Sequence, residues 1–149
     1  MKIYVINSQD ALKISKPQVK KIVNTVLRLE DKQYDEVTIH FIDPIRICEL
    51  HGEFFNDHSL TDCISFPMDD ETQEGYRVLG EIFVCPQTAI NYSLKHHRDP
   101  YQETTLYIVH GLLHLLGYDD LDKNKKRQMR TAEKRHMQHL QELNFMLFI

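Results

Sequence analysis

The chain has 149 residues, 42% of them hydrophobic and 27% charged, the balance of one soluble globular domain of ordinary size. Folding at this length buries roughly 68–70% of the surface the open chain exposes, so a core forms without disulfide or metal staples. A formal charge of −4 excludes a uniform polycation that coats nucleic acid, though not a local basic face.

The first residues, Met-Lys-Ile-Tyr-Val-Ile-Asn, carry an apolar run too short for a signal peptide. Ile3 and Val5 alternate with outward positions and predict a short strand. From Lys16 to Leu29, Val19, Ile22, Val23, Val26 and Leu27 follow helical spacing, with Ser15 and Pro17 at the start. Val37, Ile39 and Phe41 predict a second strand. Asp43 as N-cap and Pro44 at the first helical position then open a helix that runs to about Phe55. A polar loop follows, then a short strand around Cys63 to Phe66, and the acidic segment from Pro67 to Gly75 reads as an exposed loop. Val78 to Cys85 predicts a strand, Pro86 opens a helix to His96, and two further helices span Tyr101 to Leu116 and Asp122 to about Leu143. Strands and helices alternate without a strict βαβ rhythm, which predicts an α+β or mixed-sheet domain. No run approaches the ~20 apolar residues of a membrane span. Cys48, Cys63 and Cys85 are too irregularly spaced for a zinc ribbon or a disulfide framework. Free thiols fit a reducing compartment, so a cytoplasmic location is the expectation.

The stretch from Leu106 reads Leu-Tyr-Ile-Val-His-Gly-Leu-Leu-His-Leu-Leu-Gly-Tyr-Asp-Asp. Apolar residues on every side mark a buried helix. His110 and His114 stand four apart, which puts both imidazoles on one face, roughly 5–6 Å apart at Cβ. That spacing lets both rings reach one ion at ~2.0–2.1 Å; the alternative is two core histidines, each satisfied by its own hydrogen bond. Gly117 suits the left-handed residue that ends a helix and turns the chain back, carrying Tyr118, Asp119 and Asp120 toward the histidines. A carboxylate there completes a three-ligand set with a fourth position open for water, the catalytic pattern for zinc. Iron, manganese or nickel also accept two nitrogens and a carboxylate. Gly111 costs roughly 1 kcal/mol against alanine in a helix. It stands where the metallopeptidase pattern H-E-x-x-H carries its general-base glutamate, which speaks against a peptidase.

His110-Gly111-x-Leu113-His114-Leu115-x-Gly117-Tyr118-Asp119 resembles the signature of the YbeY family, bacterial endoribonucleases of ribosomal RNA maturation. Thr61-Asp62-Cys63-Ile64-Ser65-Phe66-Pro67 resembles the family's Thr-Asp-Val-Leu-Ser-Phe-Pro, and Leu79-Gly80-Glu81-Ile82 its Leu-Gly-Asp-Ile. The blocks keep their order over about residues 35 to 140. The resemblance implies an α+β domain of about five helices on a four-stranded mixed sheet, with a zincin-like metal-site helix. It implies one zinc ion and a single-strand-specific endoribonuclease of rRNA maturation and ribosome quality control. The implied partners are ribosomal RNA and the small ribosomal subunit, with no membrane and no DNA.

The family's third ligand is a histidine, and this chain has Asp120 in that position. A carboxylate is an ordinary zinc ligand at ~2.0–2.2 Å, although its shorter side chain must come closer; another divalent metal also fits. The expected ligand set is therefore His110, His114 and Asp120, and the chemistry would rest on water at the open position. Phe55 stands where the resemblance implies an arginine that serves RNA. Thr61, Asp62 and Ser65 lie on the block that resembles the family's cleft wall and are assigned to substrate positioning; the simpler reading is that Thr61 and Asp62 cap a turn. Lys123, Lys125, Lys126, Arg127, Arg130, Lys134 and Arg135 form a basic stripe that can track a phosphate backbone or remain a solvated face. His136 falls on the buried face of the same helix and is the reserve ligand should Asp120 point away. The apolar tail from Phe145 to Ile149 is expected to dock on its own domain, and a monomer is favoured. Two alternatives accompany the nuclease: a ribosome-associated assembly factor with weak or no catalysis, favoured by Phe55, and a metalloprotease-like hydrolase, disfavoured by Gly111.

Overall fold

Successive side chains of a strand point to opposite faces, so Ile3 and Val5 enter the core from β1 (Lys2–Asn7) while Lys2, Tyr4 and Ile6 stay exposed. The computed structural model describes residues 1–68 and 75–149. After β1 come α1 (Lys16–Leu29), β2 (Glu36–Phe41), α2 (Pro44–Phe55), β3 (Cys63–Pro67), β4 (Val78–Val84), α3 (Pro86–His96), α4 (Pro100–Leu115) and α5 (Lys123–Leu143). Most of the expected acidic loop, residues 69–74, lies outside the described residues. The strands form a four-stranded sheet in the order β1-β2-β4-β3. β1, β2 and β4 run parallel, and β3 runs antiparallel to β4. Five helices on a mixed sheet is the α+β architecture that the family resemblance implies.

The helix starts follow local chemistry. Asp43 accepts the Arg46 amide at 2.8 Å ahead of Pro44, and Asp99 accepts the Tyr101 amide ahead of Pro100. Asp122 accepts the Lys125 amide at 2.8 Å. Each cap satisfies an amide that the first turn leaves without a partner. The sheet then divides the apolar side chains. Val37, Ile39, Ile82 and Val84 pack with α1 and α4 in the main core. Phe66 and Phe83 join Ile47, Leu50 and Ile64 in a smaller cluster under α2. The C-terminal tail docks on its own chain: Leu147 is buried, and its amide donates to Thr105 Oγ1 at 3.1 Å.

α4 is buried on nearly every side, and beyond its first turn the partly exposed residues are Leu106, His110 and His114, four residues apart in succession. Gly111 makes this seat possible. A Cβ there would lie 2.7 Å from Ile82 Cγ2 and 3.0 Å from Cys63 Sγ. Close approach of α4 to the sheet therefore explains a glycine that helix propensity disfavours. Gly111→Ala should lower unfolding stability by about 1–2 kcal/mol, overpacking of about 1–3 outweighing the gain in helix propensity. Urea titration of both proteins checks this, and a more stable alanine variant would refute it.

Candidate metal centre

The fold decides which side chains meet. His110 and His114 project from the open line of α4, and their Nε2 atoms face each other 3.0 Å apart. Gly117 takes φ +104°, and the Tyr118 amide donates to the Leu113 carbonyl at 3.0 Å, so the chain reverses as expected after α4. The reversal leaves Asp119 and Asp120 in different roles. Asp119 accepts the Leu121 amide and pairs with Lys125 at 3.5 Å. Asp120 turns back, with Oδ2 3.9 Å from His114 Nε2. Ligand atoms of His110, His114 and Asp120 all lie within 4.8 Å of one another.

The donor set fits a divalent cation. Glu133 on α5 holds His110 Nδ1 at 2.8 Å, so that nitrogen donates and the neutral ring presents the Nε2 lone pair to His114. Two nitrogens facing each other at 3.0 Å require a proton or a cation between them; tetrahedral zinc ligands at ~2.0–2.1 Å stand about 3.3 Å apart. A carboxylate on the outer nitrogen is the usual way to fix a ligating imidazole. Burial pushes the His110 imidazolium down, but the hydrogen bond and charge of Glu133 outweigh it and hold its pKa above the ordinary value. Burial and the neighbouring His110 hold His114 below that value. The pair is thus electrostatically unequal: Glu133 favours the charged form of His110, and His110 disfavours that of His114.

Thr61, Asp62 and Ser65 line the same cavity of about 630 Å³ as the cluster. Their contacts separate them. The Thr61 carbonyl accepts the Thr88 hydroxyl at 3.0 Å. Ser65 donates its hydroxyl to the Gly111 carbonyl at 3.1 Å, which ties β3 to α4. Asp62 also borders a second groove of about 710 Å³, and the two grooves share Asp62, His110 and Asp120. Arg98, Lys126, Arg130 and Lys134 line that second groove, so part of the basic stripe adjoins the cluster.

His136 does not serve as a reserve ligand. It is fully buried and its Nε2 lies 2.7 Å from Glu30 Oε2, away from the cluster. Its Nδ1 has no partner among the described residues. A second N–H there would be buried and unsatisfied, so the ring is neutral with its proton on Nε2. Glu30 at the end of α1 also accepts Tyr118 Oη at 2.8 Å and Arg135 at 3.0 Å. Burial pushes the Glu30 carboxyl up, but hydrogen bonds from Tyr118, His136 and Arg135 outweigh it and hold it below the usual range. Glu30 and Glu133 escape sequence reasoning: Glu30 meets partners 88 to 106 residues away, and Glu133 looks like a mere interruption of the basic stripe.

An α+β fold in which a buried H-x-x-x-H helix and a returning aspartate converge at a cleft defines a protein with a cluster that could hold a metal ion. The family model for Endoribonuclease YbeY matches residues 4–141, and the chain belongs to that family. It is 56% identical over 137 residues to the Endoribonuclease YbeY of Protochlamydia amoebophila, covering 92% of this chain and 91% of that protein. The Endoribonuclease YbeY of Chlamydia pneumoniae is 39% identical over 89% of this chain and 87% of its own length. The solution structure of TM1509 from Thermotoga maritima has a similar fold, with a TM-score of 0.66 at 20% identity over 95% of this chain and 91% of that one. Among the described residues no helix is long and apolar enough to cross a membrane.

Two outcomes are expected. Divalent-ion affinity, read by competition with a chromophoric chelator, should fall about 10- to 100-fold in Glu133→Gln and further in Asp120→Ala. It should also decline as pH drops through the raised His110 value, because protons compete for the same nitrogens; unchanged affinity in Asp120→Ala would remove that residue from the set. The metal-free protein should lose stability on acidification. His136 stays neutral in the fold while the unfolded chain takes up a proton from about pH 6.5 downward, its ordinary value being depressed by burial. Glu30, also depressed, adds a second loss below its ordinary 4.5. Both shifts make stability rise with pH, whereas the raised value of His110 adds stability as pH falls; against that background His136→Gln should lose less stability than the native chain between about pH 7 and 5.5 in urea titrations.

Proposed function

We propose that this protein is a zinc-dependent, single-strand-specific endoribonuclease that acts in ribosomal RNA maturation and ribosome quality control. It works in the cytoplasm on ribosomal RNA at the small ribosomal subunit, as a monomer, with no role for DNA or membranes. One observation carries the reading: the His110, His114 and Asp120 cluster sits where two grooves meet, and one groove is lined by Arg98, Lys126, Arg130 and Lys134. Cations spaced along a groove suit a phosphate backbone. The relatives are endoribonucleases by name, which supplies RNA as the class of substrate.

A divalent ion, when bound, supplies a Lewis acid for a phosphoryl oxygen and eases the ionisation of water beside it. The chain's own residues do the rest. Glu133 fixes the tautomer and angle of His110. The basic side chains of the second groove bind and orient the phosphates. Asp62, at the junction of the grooves, repels a misplaced phosphate and accepts hydrogen bonds from a ribose hydroxyl or water. Two nitrogens and one carboxylate suit zinc in a tetrahedral site with one position open. A peptidase finds no support: the Cβ direction of Gly111 runs into Ile82 and Cys63, leaving no room for a general-base glutamate.

Zinc-loaded protein should cleave single-stranded RNA and spare duplex RNA, and His114→Ala or chelation should lower the rate at least about a hundredfold. Gel assays with end-labelled ribosomal RNA fragments provide the test. Equal cleavage by His114→Ala would refute the reading; tight binding by the wild type without cleavage would establish the assembly factor instead.

A further inference from the structure

Phe55, the last residue of α2, is 54% exposed, yet it lines the same cavity as His110, His114 and Asp120. The ring is well supported. His51, one turn earlier, lies 5.7 Å from it, and the His51 ring is held by a 2.9 Å hydrogen bond between Nδ1 and the Ser59 carbonyl. Phe66 stands 6.4 Å away at an interplanar angle of 28°. Asn56 ends the helix in the left-handed conformation directly afterwards, which fixes the backbone as well. An apolar ring held half-open to water is unfavourable by hydration alone, and here it shares a cavity with the polar side chains of Thr61, Asp62, His110, His114 and Asp120.

The cleft is asymmetric about the cluster. Cations lie in the groove on one side, and a supported aromatic ring lies in the cavity on the other. Proteins that grip single strands combine these two elements, charge for the backbone and aromatic faces for the bases. A nucleobase is the part of such a ligand that is flat, uncharged and able to cover a phenyl ring. Bases inside a duplex are already stacked and offer no free face.

We propose that Phe55 is a base-stacking subsite, taking a nucleobase of single-stranded RNA adjacent to the phosphodiester at the His110 cluster. This rests on the RNA reading above and adds a position and a basis for strand selectivity. The chain has no tryptophan, so Phe55→Trp places a single indole reporter at the subsite. Metal-loaded wild type, Phe55→Ala, Phe55→Leu and Phe55→Trp are titrated with labelled single-stranded oligoadenylate and with a matched abasic oligomer, reading anisotropy and tryptophan emission. Phe55→Ala and Phe55→Leu should weaken oligoadenylate binding about 5- to 100-fold, with metal content unchanged, while Phe55→Trp binds within about twofold of wild type. Tryptophan emission should be quenched by oligoadenylate and not by the abasic oligomer. Wild-type affinity in Phe55→Ala, or RNA bound without quenching, overturns the stacking subsite and leaves the RNA reading standing. Absence of RNA binding in every protein removes both. Self-association that depends on Phe55 and is indifferent to RNA would assign the ring to a second copy of the chain, and overturn the proposal.

Discussion

The distance at which α4 approaches the sheet governs the rest of the molecule. With no side chain at Gly111, Ile82 and Cys63 fill the space between helix and strands, and the Ser65 hydroxyl bonds the Gly111 carbonyl. A helix seated this deeply spends most of its circumference on the sheet, α1, α3 and α5. What remains is a narrow line, Leu106, His110 and His114, that reaches a cleft. The two imidazoles are therefore fixed by packing on all other sides of their helix. Interiors packed at crystal density hold side chains in narrow rotamer wells, which is the precision a shared ion requires.

Carboxylates from elsewhere complete that arrangement. Glu133 reaches His110 from α5, and Glu30 gathers Tyr118, Arg135 and His136 from the end of α1. A buried anion is costly unless its lone pairs are met, and three donors meet those of Glu30. Its bond to Tyr118 pins the segment between Gly117 and Asp120. The Asp122 cap fixes the other end of that segment at the start of α5. Asp120 is held in a loop tied at both ends, which is how a short carboxylate stays near two rings without a longer side chain.

Local signals in the sequence were strong and long-range ones were silent. Asp43-Pro44, Ser15 with Pro17, and Gly117 carry their own geometry, so helix limits fall within a residue or two of expectation. The pair His110 and His114 is visible as spacing alone, whereas Asp120 rather than Asp119 follows from the family motif, and the turn supplies the physical reason: Asp119 is engaged by Lys125 and the Leu121 amide. Gly111 was legible as an anomaly, and its cause required knowing that Ile82 and Cys63 lie beneath it. His136 reads as a buried helix position from periodicity, yet its partner Glu30 leaves no trace in spacing because the contact closes only when α1 and α5 pack. The same limit hid the aromatic group of Phe54, Phe55 and Phe66, which comes from α2 and β3.

The charge balance of the cleft explains why the basic stripe is placed where it is. An aspartate as third donor cancels one unit of a bound cation's charge, and Asp62 at the junction and Glu103 within the second groove add further negative potential. A phosphodiester would meet net repulsion from such a rim if nothing offset it. Arg98, Lys126, Arg130 and Lys134 line the same second groove as these acids, and the charge of Arg98 acts on Glu103 directly. Lys125 and Arg135, by contrast, are engaged by Asp119 and Glu30 and stabilise the loop and helix instead. The stripe is thus divided by geometry: one part holds the scaffold of the site, and the other makes an acidic chain locally receptive to an anionic polymer.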